Sequence, residues 1–392
     1  MKFLTAGESH GEALTGIISG YPSGIDIDIH FINSELERRQ TGYGRGGRMS
    51  IERDRIKILS GMRSNRSTGS PISFVIENLD YKNWKSKLQK ETDILNPRPG
   101  HADLPGFIKF RSGSIRDVIE RSSARETASR VAIGAFVKLV LNKLDIFILS
   151  YVEQIGTEGI DYNNFNIDIK REFNPVKKTD DKKIIDMIES SRVRCPDKEA
   201  TKKIVNIIKE ASEKGDSLGG SVRVIAAGVV PGLGSYIQWD TRLDARIAAA
   251  MMSIPSAKAI SIGKGILAPV MRGSEFHDEI YFNKKTGFYR DTNNAGGLEG
   301  GMTNGEPIDV RITFKPIPTV LKGLKSVNIK NKSAGKSLKE RSDICAVPSA
   351  AVVAEAMLAI EITEAVIEKF GRDSIEEIVE NYKNYKEFIK SI

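Results

Sequence analysis

Cysteine is nearly absent from this chain: Cys195 and Cys345 are the only two in 392 residues. Two distant thiols make no disulfide framework and lack the paired spacing of a structural zinc site, so a reducing compartment is expected and no metal centre. Long apolar runs are missing too. No stretch approaches the roughly 20 consecutive apolar residues of a membrane span, and the segment after Met1 meets Gly7-Glu8 before reaching signal length. The expectation is a cytoplasmic chain with no membrane partner. Neither GxxxxGK[ST] nor HExxH occurs, which removes the commonest nucleotidase and zinc-protease readings. Aromatic residues make up only 7% and are not interleaved with the basic clusters as base-stacking platforms require. Nucleic acid is therefore not expected as a partner, despite a net charge of +8 and a pI near 9.2. The 51 acidic residues are dispersed among 59 basic ones, with no polybasic tail.

Histidine is the scarce residue that carries information. Of the four, His10 lies in Gly7-Glu8-Ser9-His10-Gly11 and His101 in Arg98-Pro99-Gly100-His101-Ala102-Asp103. Small neighbours let another molecule approach an imidazole closely, and imidazole is the side chain that titrates nearest neutrality, so proton transfer is expected. His30 and His277 have no such setting and read as surface or packing residues. Arginines cluster in Glu37-Arg38-Arg39 and Tyr43-Gly44-Arg45-Gly46-Gly47-Arg48, a pattern suited to bidentate grip on carboxylates or phosphates. Together these point to acid-base chemistry on a polyanionic small molecule. Arg121-Ser122-Ser123, at a helix start, adds a guanidinium, two hydroxyls and free amides for an anionic cofactor group. The Gly-rich run 293–305 and Lys315-Pro316-Ile317-Pro318-Thr319 would let backbone approach a flat ligand. A dinucleotide fingerprint at 42–47 is superficial, because it follows a charged helical stretch rather than a strand.

The chain reads as mixed α and β. Strands are expected at 14–19, 56–59, 72–76, 146–152, 222–230 and 308–314, and helices at 123–144, 240–253 and 349–370. Ser123-Ala124-Arg125-Glu126 has the pattern of a capping box, and Gly371 that of a helix stop. Lysine-rich stretches at 170–183 and 322–339 read as surface excursions. Gly7-Glu8-Ser9-His10-Gly11 followed by Ile17, Gly20 and Pro22 is echoed by Gly215-Asp216-Ser217-Leu218-Gly219 followed by Ile225, Gly228 and Pro231. The echo implies one pseudo-symmetric domain over 1–392, with halves starting near 7 and 215. Leu218 replaces His10 in the second copy and marks it as catalytically silent, so Leu218→Met is expected to disturb packing more than chemistry.

Taken in order over residues 3–371, the two histidine motifs, the 42–48 loop, Arg121-Ser122-Ser123-Ala124-Arg125-Glu126-Thr127 and Arg341-Ser342-Asp343 closely resemble the chorismate synthase family. The resemblance implies an α/β fold, a β-α-β sandwich with helices between two antiparallel sheets, assembled as a homotetramer. It implies 1,4-anti elimination of phosphate from 5-enolpyruvylshikimate 3-phosphate, closing the shikimate pathway, with reduced FMN required but not consumed. His10 and His101 would act as general acids, and Asp343 would tune the flavin N5 region. Arg39, Arg45 and Arg48 would hold the substrate's anions, Arg39 and Arg45 also matching NADP-associated positions. Family FMN contacts fall on Arg121, Ser122, Ser123, Pro255, Ser256, Gly300, Lys315, Pro316, Ile317, Pro318, Thr319 and Arg341. Gln40-Thr41, Pro255-Ser256 and Ile317-Pro318 depart from common family forms. Whether NADPH or an external flavin reductase supplies the electrons is left open. The competing readings are an NADPH-dependent flavin oxidoreductase acting on an anionic small molecule and a phosphate-binding nucleic-acid protein.

Overall fold

The computed structural model describes residues 1–46, 53–88, 94–163, 165, 178–284, 287–338 and 343–392, with backbone only at 86–88 and 178–182. Among the described residues, nine strands build two antiparallel sheets. The first holds β1 (Lys2–Ala6), β2 (Ala13–Ser19), β3 (Ile56–Ser60) and β4 (Ile72–Glu77) in the order β1-β2-β4-β3. The second holds β5 (Phe147–Ile155), β6 (Gly220–Ala227), β7 (Ala257–Ile262) and β8 (Ile308–Phe314) in the order β5-β6-β8-β7, with the short strand Glu158–Gly159 beside β5. Helix α1 (Ile29–Gln40) joins β2 to β3. Helices α2 (Tyr81–Leu88), α3 (Asp103–Phe110) and α4 (Ile115–Ser122) lead from β4 into the long α5 (Thr127–Asn142). In the second half α6 (Leu243–Met252) joins β6 to β7, and α7 (Val347–Phe370) follows β8. Each half thus repeats one connection: two strands, a helix, two strands in inverted spatial order, then a long helix.

The long helices form the filling of the sandwich. α5 packs on β2, α7 on β5 and β6, and the two helices pack on each other. Leu14, Ile18, Phe74 and Ile76 of the first sheet and Val222, Val224, Val310 and Ile312 of the second enter one continuous core with them. Alternation on β4 buries Ile72, Phe74 and Ile76 on one face, as expected of a half-covered strand. β6 is buried almost throughout because Ile184 and Ile188, on the helix Lys178–Ser190, cover Leu149, Tyr151 and Ile225 on the outer face. That double cover explains the continuous apolar run from Val224 to Ala227. Where α5 and α7 cross, an added Cβ at Gly134 would stand 2.3 Å from Ala356 Cβ, so only glycine permits this approach.

A buried ion cluster ties the layers together. Glu355 of α7 has no solvent exposure and accepts from Arg38 Nη1 at 2.8 Å, Lys138 Nζ at 2.7 Å and Ser150 Oγ at 2.7 Å. Burial alone would raise this carboxyl, but the charges of Arg38 and Lys138 hold it well below the usual range.

Several expected boundaries shift. The helix expected from 123 begins as a 3-10 turn, Ala124–Glu126. Ser123 Oγ accepts from Arg125 N at 3.3 Å, but Glu126 pairs with Arg130 at 2.9 Å instead of reaching back, so the capping box is incomplete. β6 stops at Ala227 rather than 230 because Gly228, at φ +82°, turns the chain where a Cβ would lie 2.3 Å from Asp145 O. α6 begins at Leu243, after a 3-10 turn at Trp239–Thr241. β1 and β7, both sheet-edge strands, were not expected. The lysine-rich excursions contain the helix Lys178–Ser190 and the hairpin Lys325–Val327 with Ala334–Lys336.

Gly134→Val is expected to lower the free energy of unfolding by about 1–3 kcal/mol, through forced separation of α5 and α7. Denaturant titration of the purified variant checks this; an unchanged midpoint would contradict the close crossing.

Candidate active site

The first turns of both central helices, Ala124 to Thr127 and Ala346 to Ala350, converge on a cavity of about 800 Å³. His10 and His101 both line it. His10 follows the tight turn at Gly7, whose φ of +109° and contact with Ala13 O admit no side chain. Its backbone N donates to Glu120 Oε2 at 2.8 Å, and its Nδ1 lies 2.8 Å from Glu120 Oε1. Burial raises the Glu120 carboxyl, yet hydrogen bonds and charge from His10 bring it below its ordinary value, so it stands as an acceptor. Nδ1 then carries a hydrogen toward Glu120, and Nε2 is the nitrogen left to exchange protons. Trp84 of α2 lies against the ring with centroids 3.8 Å apart, held by its own hydrogen bond to Asp80.

His101 is held in a similar way. Its Nδ1 lies 2.5 Å from Asp103 Oδ1. Asp103 is fully buried and also takes Arg98 Nε at 2.9 Å and Nη2 at 3.0 Å. Burial opposes ionisation here, but the hydrogen bonds from His101 and Arg98 hold this carboxyl well below the usual range. Arg98 Nη1 continues to Thr319 Oγ1 at 3.0 Å, fastening the histidine loop to the second half of the chain.

The other guanidiniums are also positioned before any ligand arrives. Arg39 reaches Thr127 Oγ1 and Ala124 O at 3.0 Å each, and Asp54 at 3.5 Å. Arg125 pairs with Asp54 at 2.7 Å and Asn78 Oδ1 at 2.7 Å. Arg45 pairs with Asp343 at 3.0 Å, whose other oxygen accepts Gly46 N at 2.7 Å. Arg39, Arg45, Arg98, Arg125 and Lys315 line the cavity against the carboxylates of Asp80 and Asp343, while Asp54, Asp103 and Glu120 stand behind the wall. A ligand therefore meets a cationic face whose side chains have already lost their freedom. Lys315 Nζ donates to Gly100 O; burial, then Lys258, push its ammonium below the ordinary lysine value.

Of the expected flavin contacts, Ser122, Ser123, Pro255, Ser256, Lys315, Ile317, Pro318 and Thr319 line the cavity. Ser122 Oγ is buried with no hydrogen-bond partner among the described residues. Ser256 holds a left-handed φ of +72° on the wall, a strained conformation for a side-chain-bearing residue. Three expected contacts fall elsewhere. Arg121 turns away to Thr5, donating to its carbonyl at 2.7 Å, Pro316 is exposed beside the wall, and Gly300 sits at the exposed tip of the hairpin Leu298–Glu299 with Met302–Thr303. Arg48 and Arg341 lie outside the described residues.

His30 and His277 are exposed, as their settings implied. Leu218, read from sequence as the mark of a silent repeat, lines the same cavity as His10. Sequence reasoning left Arg98, Arg125, Glu120 and Trp84 without roles. Arg98 and Arg125 lay inside quoted motifs, so their proximity was available; Glu120 and Trp84 arrive only through folding. The two thiols are buried, which pushes each up to about 12 and leaves no thiolate nucleophile. What the site can do is hold a polyanion rigidly and exchange protons at two imidazoles.

Among the described residues no helix is long and apolar enough to cross a membrane. The chorismate synthase family model matches residues 1–367. The chorismate synthase of Endomicrobium trichonymphae is 47% identical over 398 residues, covering 100% of both chains. That of a Sulfurihydrogenibium species is 49% identical, covering 99% of this chain and 98% of its own. A solved chorismate synthase crystal structure superposes with a TM-score of 0.80 at 40% identity, covering 100% of this chain and 98% of the other. A full-length match in sequence and in fold, around a cavity that gathers both glycine-linked histidines, makes this chain a member of the chorismate synthase family.

Proposed function

We propose that this chain converts 5-enolpyruvylshikimate 3-phosphate to chorismate and phosphate by 1,4-anti elimination, with reduced FMN present and not consumed. The observation that carries the reading is one cavity lined by both histidines and by Arg39, Arg45, Arg98 and Arg125. Two carboxylates and a phosphate on the substrate match this donor set in charge and geometry. The guanidiniums hold the ring in place, which is the larger part of what the protein itself supplies. His10 and His101 each carry a proton at Nε2, with Nδ1 anchored, and deliver it toward the departing phosphate and the flavin.

The residues present fit a flavin. Unpartnered Ser122 Oγ offers a hydrogen bond, Lys315 a positive charge, and Ile317 and Pro318 an apolar surface. Ser122, Ser123, Pro255, Ser256, Lys315 and Thr319 would hold it. Reduced flavin supplies electron density for loss of a ring hydrogen too weakly acidic for a side-chain base alone. Asp343, already bound to Arg45, would face its N5 region. Arg39 and Arg45 are the positions for NADPH, should the protein reduce its own flavin; otherwise an external reductase serves.

The chain would work in the cytoplasm as a homotetramer. Tyr236, Ile237 and Trp239 are 67%, 72% and 75% exposed, an apolar surface suited to burial between copies. The Gly300 hairpin lies beside it, through the bridge from Gly234 to Met302. A tetramer would therefore bring Gly300 against a neighbouring copy rather than into its own cavity. The matched strand connections of the two halves support a single duplicated domain.

An anaerobic assay with chemically reduced FMN is expected to release phosphate and chorismate in equal amounts while the flavin stays reduced. Oxidation of NADPH in step with product would favour the oxidoreductase reading instead. His10→Ala and His101→Ala are each expected to slow elimination by about 10 to 10⁴-fold with FMN affinity nearly unchanged, as measured by steady-state rates and flavin titration. Full activity in both variants would remove their proposed roles. Arg45→Lys is expected to raise KM for the substrate about tenfold, since a point charge replaces a bidentate fork; an unchanged KM would place Arg45 outside the anion clamp.

A further inference from the structure

The cavity wall divides by chemistry between the two halves of the chain. The first half contributes Ser9, His10, Arg39, Arg98, His101 and Arg125; the second contributes Leu218, Ile254, Phe314, Ile317, Pro318 and Val347. Among the described residues, Lys315 and Asp343 are the charged side chains that the second half adds, and both turn toward the first. Lys315 Nζ reaches Gly100 O, and Asp343 lies 3.0 Å from Arg45. The first side carries the arginines and histidines; the second is more apolar, with Ser256, Lys315, Thr319, Asp343 and Ser349 as its polar members.

This partition follows the repeat. Gly7 and Gly215 open the two turns at φ +109° and +62°. Three residues later, His10 N donates to Glu120 Oε2 at 2.8 Å, on the segment leading into α5, and Leu218 N donates to Ile344 O at 2.9 Å, on the segment leading into α7. The serine before each is also hydrogen-bonded, to places that do not correspond: Ser9 Oγ donates to Ser123 Oγ at 3.1 Å, and Ser217 Oγ to Ile317 O at 2.7 Å. Leu218 therefore holds in the second copy the station that His10 holds in the first, and both face the same cavity.

We propose that Leu218 is a specificity-determining residue of the flavin seat, presenting an aprotic apolar face to the planar ring where the repeat would otherwise set a second imidazole. The inference rests on the flavin reading above. A flat ring against Leu218, Phe314 and Ile317 sheds water from one face. A polar side chain at this station would bring water or an unsatisfied group to that face. The unequal pair of His10 and Leu218 keeps proton donors on the substrate side, so proton delivery has one direction.

Titration of the full-length protein with FMN, followed by the visible absorption of the flavin, tests this. Leu218→Asn is expected to weaken FMN binding about tenfold and blur the shoulders of the flavin band that dry surroundings sharpen. Leu218→Met should retain both affinity and band shape. Should Leu218→Asn not fold, Leu218→Ala carries the same expectation through admitted water. Wild-type affinity and an unaltered band in the Asn or Ala variant would overturn the role of Leu218. Failure of the wild-type protein to take up FMN would instead overturn the flavin reading on which it rests.

Discussion

The site depends on cations that are paired before the substrate arrives. Arg98 on Asp103, Arg39 and Arg125 on Asp54, and Arg45 on Asp343 each lose side-chain freedom during folding rather than during binding. Unpaired guanidiniums crowded on one wall would repel one another and lower the stability of the fold. Set against carboxylates that mostly lie behind the wall, they keep a positive surface at a tolerable cost. One of these carboxylates also orients a histidine: Asp103 serves Arg98 and His101 together, while Glu120 separately grips His10 at two points. Arg98 and His101 therefore belong to one hydrogen-bonded system through Asp103.

The fold brings this system together by repetition. A four-strand and a five-strand sheet, whose main strands share one connection, press a pair of long helices between them, and the helices begin at the same place, the rim of the cavity. Gly134 against Ala356 sets how closely the helices approach. The Glu355 cluster bonds α1 and α5 to α7, and Arg38 in that cluster neighbours Arg39 in the site. A shift of α1 would break the cluster and withdraw a cavity-lining arginine at once.

Much of this was legible in the sequence, because the informative residues are short-range. The glycine-flanked histidines, the arginine loops and the hydroxyls at 122–123 announce their chemistry in adjacent positions, and His10 and His101 do line one cavity. The alternation of Ile72, Phe74 and Ile76 marked a strand directly. What was hidden depended on distance along the chain. Glu120 binds His10 across 110 residues, and nothing near either predicts it. Arg121 looked like a cofactor ligand by neighbourhood, yet it sits on the last turn of α4 and faces Thr5. Ser123-Ala124-Arg125-Glu126 matched a capping pattern, but Arg130 competed successfully for Glu126. Leu218 read as the loss of a histidine; only the closed sandwich reveals that its side chain faces the site.

If substrate and flavin share one cavity with facing walls, each must change the binding of the other. The most direct measurement is the affinity for FMN with and without saturating 5-enolpyruvylshikimate 3-phosphate. The account predicts tighter flavin binding when the substrate fills the cationic side, by contact and by exclusion of water. Equal affinity in both conditions, or competition between the two, would contradict it.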